Sequence, residues 1–314
     1  MDGWSKPRAN ATERPPRMTT PTPALARSVL LLLGALLLFV LLDSTAKHLA
    51  QTYPVPMLVW SRYSVHFLLM VIFLAPSMRL RLISTTRPTR QVARALCLLG
   101  TTFFGMAALS RMPLAETTAI VFAAPLIVTL LARPLLGEQI GVMRWVAVIV
   151  GFVGVLLIAR PGSGLVAEGI ALALGGAMSY ALYQILTRQL TPTENPVTML
   201  FYTALIGTVA MTLALPWIWG GPIPGLKDAL LIASLGIYGG SGHFLLIRAF
   251  RDAPASVLSP ILYVQLIWAM LIGWLFFGHI PDEIALLGIL TIGSAGVMIA
   301  IDSRRGRASG RLKT

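Results

Sequence analysis

Ten stretches of this chain are long and apolar enough to cross a lipid bilayer, and that feature removes most folds from consideration. A helix crosses the hydrocarbon core, ~30 Å thick, with about 20 predominantly apolar residues. Inside lipid no water is available to the backbone, so each N–H and C=O must be satisfied within the segment, which only a helix or a closed barrel achieves. With boundaries drawn at charges, prolines and glycines, the first five segments run about 25–47, 56–76, 92–110, 113–133 and 142–159. The second five run about 166–188, 197–217, 229–250, 254–277 and 284–301. The connections are short and several carry proline ("TYPVP", "RPGSG", "TPTENP", "GGPIPG"), which leaves no room for a soluble domain. The expected fold class is an all-α polytopic membrane protein with ten transmembrane helices. Residues 1–23 are polar and proline-rich and read as a disordered tail. Residues 303–314 read as a basic tail.

Composition agrees. Only 12% of the residues are charged and 56% are hydrophobic, whereas soluble domains carry about 25% charged residues. The net charge of +13 would suggest nucleic acid in a soluble chain, but here its placement gives it another meaning. If the N-terminus is cytoplasmic, twenty lysines and arginines fall at cytoplasmic ends and tails, among them the run Arg79 to Arg94. Four (Lys47, Arg111, Arg160 and Lys227) fall outside, and Arg62 is intramembrane. That bias is the positive-inside signal. It predicts both termini in the cytoplasm, an inner-membrane location, and anionic lipid at the cytoplasmic face as the partner of the basic residues; nucleic acid drops out. The first segment has the basic lead and apolar core of a signal peptide, but it matches a later segment and reads as a retained helix. Cys97 is the only cysteine, and neither a phosphate-binding loop nor a dinucleotide fingerprint occurs. No cofactor or metal is expected.

Sliding the chain against itself by 141 residues brings the halves into register. Gly34 meets Gly175, Phe39 meets Tyr180, Lys47 meets Arg188, Trp60 meets Phe201, Phe103 meets Phe244, Ala108 meets Ala249, Pro113 meets Pro254 and Gly137 meets Gly278. A shift of 142 then pairs Gly151 with Gly293 and Gly154 with Gly296. Each half holds five spans. Because five is odd, the second half enters the membrane from the opposite side. The expected repeats are 24–162 and 163–302. Inverted repeats of this kind characterise secondary transporters, with the substrate site near the midplane.

At "SRMPLAETTAIVFAAPLIVTLLARPLLGEQIGVMRWVAVIVGFVGVLLIARPG" the chain resembles the EamA-type branch of the drug/metabolite transporter superfamily. The pattern is a short turn at Pro113, a helix bearing Pro125, an L-G-E corner with Glu138, and a helix with Gly151 and Gly154. The second copy, from Arg251, keeps Pro254 and Gly278 and has His279 where the pattern has Glu. The resemblance covers residues 25–302. It implies a central cavity walled by the first four helices of each half, with the fifth and tenth peripheral. Relatives of this kind export amino acids, metabolites and drugs or import vitamins and cofactors.

Polar residues inside the apolar segments are the candidate site. Asp43 and Lys47 are four apart on the first helix, Arg62 and His66 four apart on the second, so each pair shares a helix face. Asp43 and Arg62 have similar depths, and neighbouring consecutive helices would let them pair. A charge at mid-membrane costs roughly 2.5–3.5 kcal/mol on the insertion scale, which turns both toward the bundle interior. In the second half Tyr180, Gln184, His243, Tyr263 and Gln265 join them, while Pro125 and Pro260 sit in long apolar runs as expected kinks and gates. Glu116 and Arg111 read as a solvated turn, and Glu138 as architectural.

The resulting expectation is a secondary transporter, working by alternating access, for a small metabolite: amino acid-like, opine-like, or a vitamin or cofactor such as a flavin. A second copy of the chain is a candidate partner. An integral-membrane enzyme is the alternative, but no acid-rich motif or nucleophile–base set supports one. A non-transporting scaffold or sensor is the third class, and it would tolerate neutralisation of Asp43 and Arg62.

Overall fold

A computed structural model describes residues 23–78, 82–136, 141–160, 164–253 and 255–311. The N-terminal tail to Thr22, residues 79–81, the corner with Gly137 and Glu138, the turn 161–163, Pro254 and the last three residues lie outside them. All the regular structure among the described residues is helical, with no strand. In the first half α1 is Pro23–Leu49, α2 Val55–Met78 and α3 Pro88–Leu109. The fourth span is α4 (Leu114–Val121) followed by α5 (Ala124–Leu136), and α6 is Val142–Ile158. In the second half α7 is Ala167–Leu190, α8 Pro196–Ile218 and α9 Leu226–Asp252. The ninth span is α10 (Ala255–Leu258), a 3₁₀ turn (Ser259–Tyr263) and α11 (Val264–Phe277), and α12 is Glu283–Arg311. Among the described residues nine spans have full membrane length, and Val142–Ile158 is a shorter apolar tenth.

The ends of these helices follow local chemistry. Pro196 is preorganised for the first turn of α8, and the Asn195 side chain accepts from Val197 N at 2.8 Å. Asp282 does the same for α12, accepting from Ala285 N at 2.8 Å. Gly278 ends α11 with φ 63°, in the left-handed region that favours glycine. α12 continues to Arg311, so the described part of the basic stretch after residue 302 is helical.

The face where α1 begins is here called proximal, and the face where it ends distal. Interhelix packing obeys the internal repeat. α1 lies along α9 as α7 lies along α3, α2 meets α9 as α8 meets α3, and α11 meets α1 as α4 and α5 meet α7. The remaining major pairs, α2 with α8, α4 with α11 and α6 with α12, join equivalent helices across the pseudo-twofold axis. Close approaches are repeated as well. A Cβ on Gly34 would lie 3.6 Å from Leu245, and one on Gly175 would lie 3.4 Å from its counterpart Phe104. The result is two interleaved bundles, one of α1, α2, α9 and α11, the other of α7, α8, α3 and α4–α5. Each takes helices from both halves.

One polar clasp ties each bundle at one end. On the distal face Tyr53 donates to Asp228 at 2.7 Å, joining the α1–α2 turn to α9. On the proximal face its repeat counterpart Glu194 accepts from Thr86 N at 3.0 Å, Thr86 Oγ1 at 2.8 Å and Gln91 at 3.2 Å, joining the α7–α8 turn to α3. Burial pushes the Glu194 carboxyl up, but these hydrogen bonds more than offset it and hold it below the usual range.

α6 and α12 form a separate antiparallel pair. Gly154 and Gly288 face each other there, and the ion pairs Arg144–Asp302 (2.9 Å) and Arg160–Asp282 (2.8 Å) fasten the two ends. Ile149, Phe152 and Leu156 of α6, with Leu287 and Leu290 of α12, are exposed. So are Trp274, Leu275 and Phe276 of α11. On a membrane protein this is the lipid-facing belt.

Candidate functional site

Between the two bundles lies a cavity of about 230 Å³. α1, α2, α3, α4–α5, α7, α9 and the α10–α11 span line it, whereas α6, α8 and α12 contribute no described residue. The fifth and tenth spans are peripheral as expected, but α8, expected in the wall with the other first four helices of each half, contributes no described residue to it.

Helical spacing builds the site from the two lead helices. Residues four apart share a face, so α1 presents Phe39 and Asp43 to the cavity, and α7 presents Tyr180 and Gln184. These are the same positions under the 141-residue shift. α9 adds His243, whose ring lies edge-on to Phe39 at 5.0 Å and parallel to His66 at 6.3 Å. Arg62 enters from α2, donates to Thr102 Oγ1 and lies over the Tyr63 ring at 5.4 Å.

Both proline-bearing spans are interrupted where they meet the cavity. α4 ends at Val121, the turn Phe122–Ala123 separates it from α5 and its Pro125, and the ninth span passes through the 3₁₀ turn containing Pro260. Phe122 and Tyr263, repeat counterparts at the two breaks, meet edge to face at 5.7 Å on the pseudo-twofold axis.

Of the candidate residues, Asp43, Arg62, Pro125, Tyr180, Gln184, His243, Tyr263 and Gln265 line the cavity. Lys47, His66 and Pro260 do not. Lys47 instead caps α3 from the opposite bundle, donating to Leu109 O at 2.9 Å and Met112 O at 2.6 Å. His66 is buried behind His243, and its Nε2 has no hydrogen-bond partner among the described residues.

The Asp43–Arg62 ion pair does not form. No charged nitrogen of Arg62 comes within salt-bridge distance of the Asp43 carboxylate, because α1 and α2 both pack on α9 rather than chiefly on each other. Arg62 donates instead to Thr102 of α3, and Asp43 is left facing the cavity without an ion-pair or hydrogen-bond partner among the described residues.

Two further features escaped the sequence reading. Arg94, counted with the cytoplasmic loop, is 3% exposed inside the bundle. It donates to Thr187, Met199 O, Thr203 and the Tyr183 hydroxyl at 2.7–3.0 Å. Its position a turn and a half into an apolar helix was the available signal. Glu116, expected on a solvated turn, is 3% exposed. It pairs with His279 Nε2 at 2.8 Å across the distal mouth. A Glu at position 279, as in the family pattern, would have set two acids together.

Two interleaved inverted repeats around a central, largely apolar cavity that holds a few polar side chains define a membrane transporter. The profile of the EamA-like transporter family matches residues 26–160 and again 167–301, and the chain belongs to that family. It is a transporter, not an enzyme. A relative named an S-adenosylmethionine uptake transporter, from Rickettsia bellii, is 30% identical over 71% of this chain and 76% of its own length. A riboflavin transporter from Vibrio cholerae is 30% identical over 60% of this chain and 61% of its own. A crystal structure 19% identical in sequence, spanning 89% of this chain and 98% of that one, superposes with a TM-score of 0.63 and shows the same fold.

Proposed function

We propose that this protein is a secondary transporter of a small metabolite with a planar heteroaromatic ring and a charged portion, of the adenosyl type carried by its Rickettsia relatives. The observation that carries the reading is the composition of one cavity. The aromatic side chains Phe39, Phe122, Tyr180 and Tyr263, the amides of Gln184 and Gln265, and the charges of Asp43 and Arg62 all open onto it. Transport proceeds by alternating access. The bundles rock about the axis through Phe122 and Tyr263, and the interruptions at Pro125 and Pro260 act as hinges. The proximal face is cytoplasmic and the distal face external, in a bacterial inner membrane, with the basic residues of the proximal face against anionic lipid. Repeats 24–162 and 163–302 supply equivalent helices to this movement, and a second copy of the chain is a candidate partner.

A flavin is the second reading, favoured by the two amides, which match the hydrogen-bonding edge of such a ring. Uptake of radiolabelled S-adenosylmethionine and riboflavin into proteoliposomes tests both. Saturable uptake of the first supports the proposal, and uptake of riboflavin alone supports the second. Uptake of neither, with folded protein in the vesicles, refutes both.

A further inference from the structure

The internal repeat says more about the substrate than the cavity does as a whole. α1 and α7 are the same helix in two copies, and each presents an aromatic and a polar side chain one turn apart to the cavity: Phe39 with Asp43, and Tyr180 with Gln184. The aromatic positions are equivalent, and the polar positions differ by one charge. An acid stands on one side and its neutral amide counterpart on the other.

We infer that Asp43 is the subsite for a cationic group of the substrate, and that Gln184 receives the opposite, uncharged end. This rests on the transport reading above and deepens it. A carboxylate in a largely apolar cavity is costly unless it is paired. No described residue pairs Asp43: Arg62, the cation whose charge reaches it, donates to Thr102 and lies against Tyr63. An acid so placed holds either a proton or a cation that arrives and leaves, and the substrate supplies the cation. A permanently charged group suits the position, since Phe39 one turn away adds an aromatic ring to which a cation is attracted. The same reasoning orients the ligand, with its cation toward α1 and its hydrogen-bonding edge toward α7.

S-adenosylmethionine and S-adenosylhomocysteine are the probes, because they differ by the one methyl group that makes the sulfur a cation. Binding of each to the purified wild-type protein should favour the sulfonium compound by tenfold or more. Asp43→Asn should bring the ratio close to one. Asp43→Glu should retain most of the preference, provided the variant elutes as folded protein. Equal binding of the two probes to wild type overturns the inference but leaves transport of an adenosyl compound standing. A preference that survives Asp43→Asn also overturns it. Binding of neither probe removes the adenosyl reading and this inference together.

Discussion

Lys47→Met should loosen the distal mouth. Lys47 belongs to the bundle of α1, and its ammonium donates to Leu109 O at 2.9 Å and Met112 O at 2.6 Å on the other bundle. Methionine keeps the length and apolar character of the side chain and removes both hydrogen bonds. A hydrogen bond to a charged group contributes about 1.5–3 kcal/mol. The two carbonyls sit at a helix end where water can take the lysine's place, so the lower figure applies to each, about 3 kcal/mol together. At 1.4 kcal/mol per factor of ten, the ratio of closed to open distal mouth should fall by roughly a hundredfold. Thr117, buried on the cavity wall, serves as the reporter. In a Cys97→Ser, Thr117→Cys background, a membrane-impermeant maleimide added from the distal side should label the Lys47→Met protein much faster than the parent. Unchanged labelling with normal folded yield would refute the reasoning, and Lys47 would be only a cap for α3.

The other predictions concern packing, the clasps and the hinges. Gly154→Ala would put a Cβ 2.8 Å from Gly288 O; backbone cannot yield cheaply, so a loss of about 1–3 kcal/mol should appear in thermal unfolding, while Gly105→Ala, with nothing within 4 Å, should not show it. Arg94→Met removes four donated hydrogen bonds from a buried site and should cost at least about 3 kcal/mol, read as lost folded yield before any transport measurement. Glu194 is held below the usual carboxylate range, so its contribution is full above its unfolded value and is lost as pH falls through the lowered one. Thermal stability of wild type should therefore decline from about pH 5 downward more steeply than that of Glu194→Gln. Pro125→Ala and Pro260→Ala should slow transport more than they lower yield; equal losses would make the interruptions purely structural.

Segment positions were legible in the sequence because bilayer thickness sets a length that composition must match. The offset linking Phe39 to Tyr180 also held four residues further on, where it pairs Asp43 with Gln184. Neighbour relations were not legible. Chain order suggested that α1 and α2 touch, whereas the inverted repeat wedges α9 against both, which separates Asp43 from Arg62. Arg94 was misplaced because a basic residue near a helix start looks the same whether it faces lipid headgroups or reaches inward to Tyr183 and Thr187. Glu116 looked solvated because its partner, His279, is distant in sequence and arrives only through the packing of α4 on α11.

The interleaving of the bundles has a consequence during synthesis. α1 precedes the other described helices in the chain, yet its main packing partner, α9, lies about 200 residues further along. At the usual pace of translation, about 5–20 residues per second, the gap is roughly 10–40 s. Throughout that interval Asp43 must be sheltered by something other than its final surroundings, and truncation after the first repeat leaves α1 permanently without its mate. A nascent chain of this design needs a place to wait at the insertion machinery, and its early helices are the ones a quality-control protease would meet first.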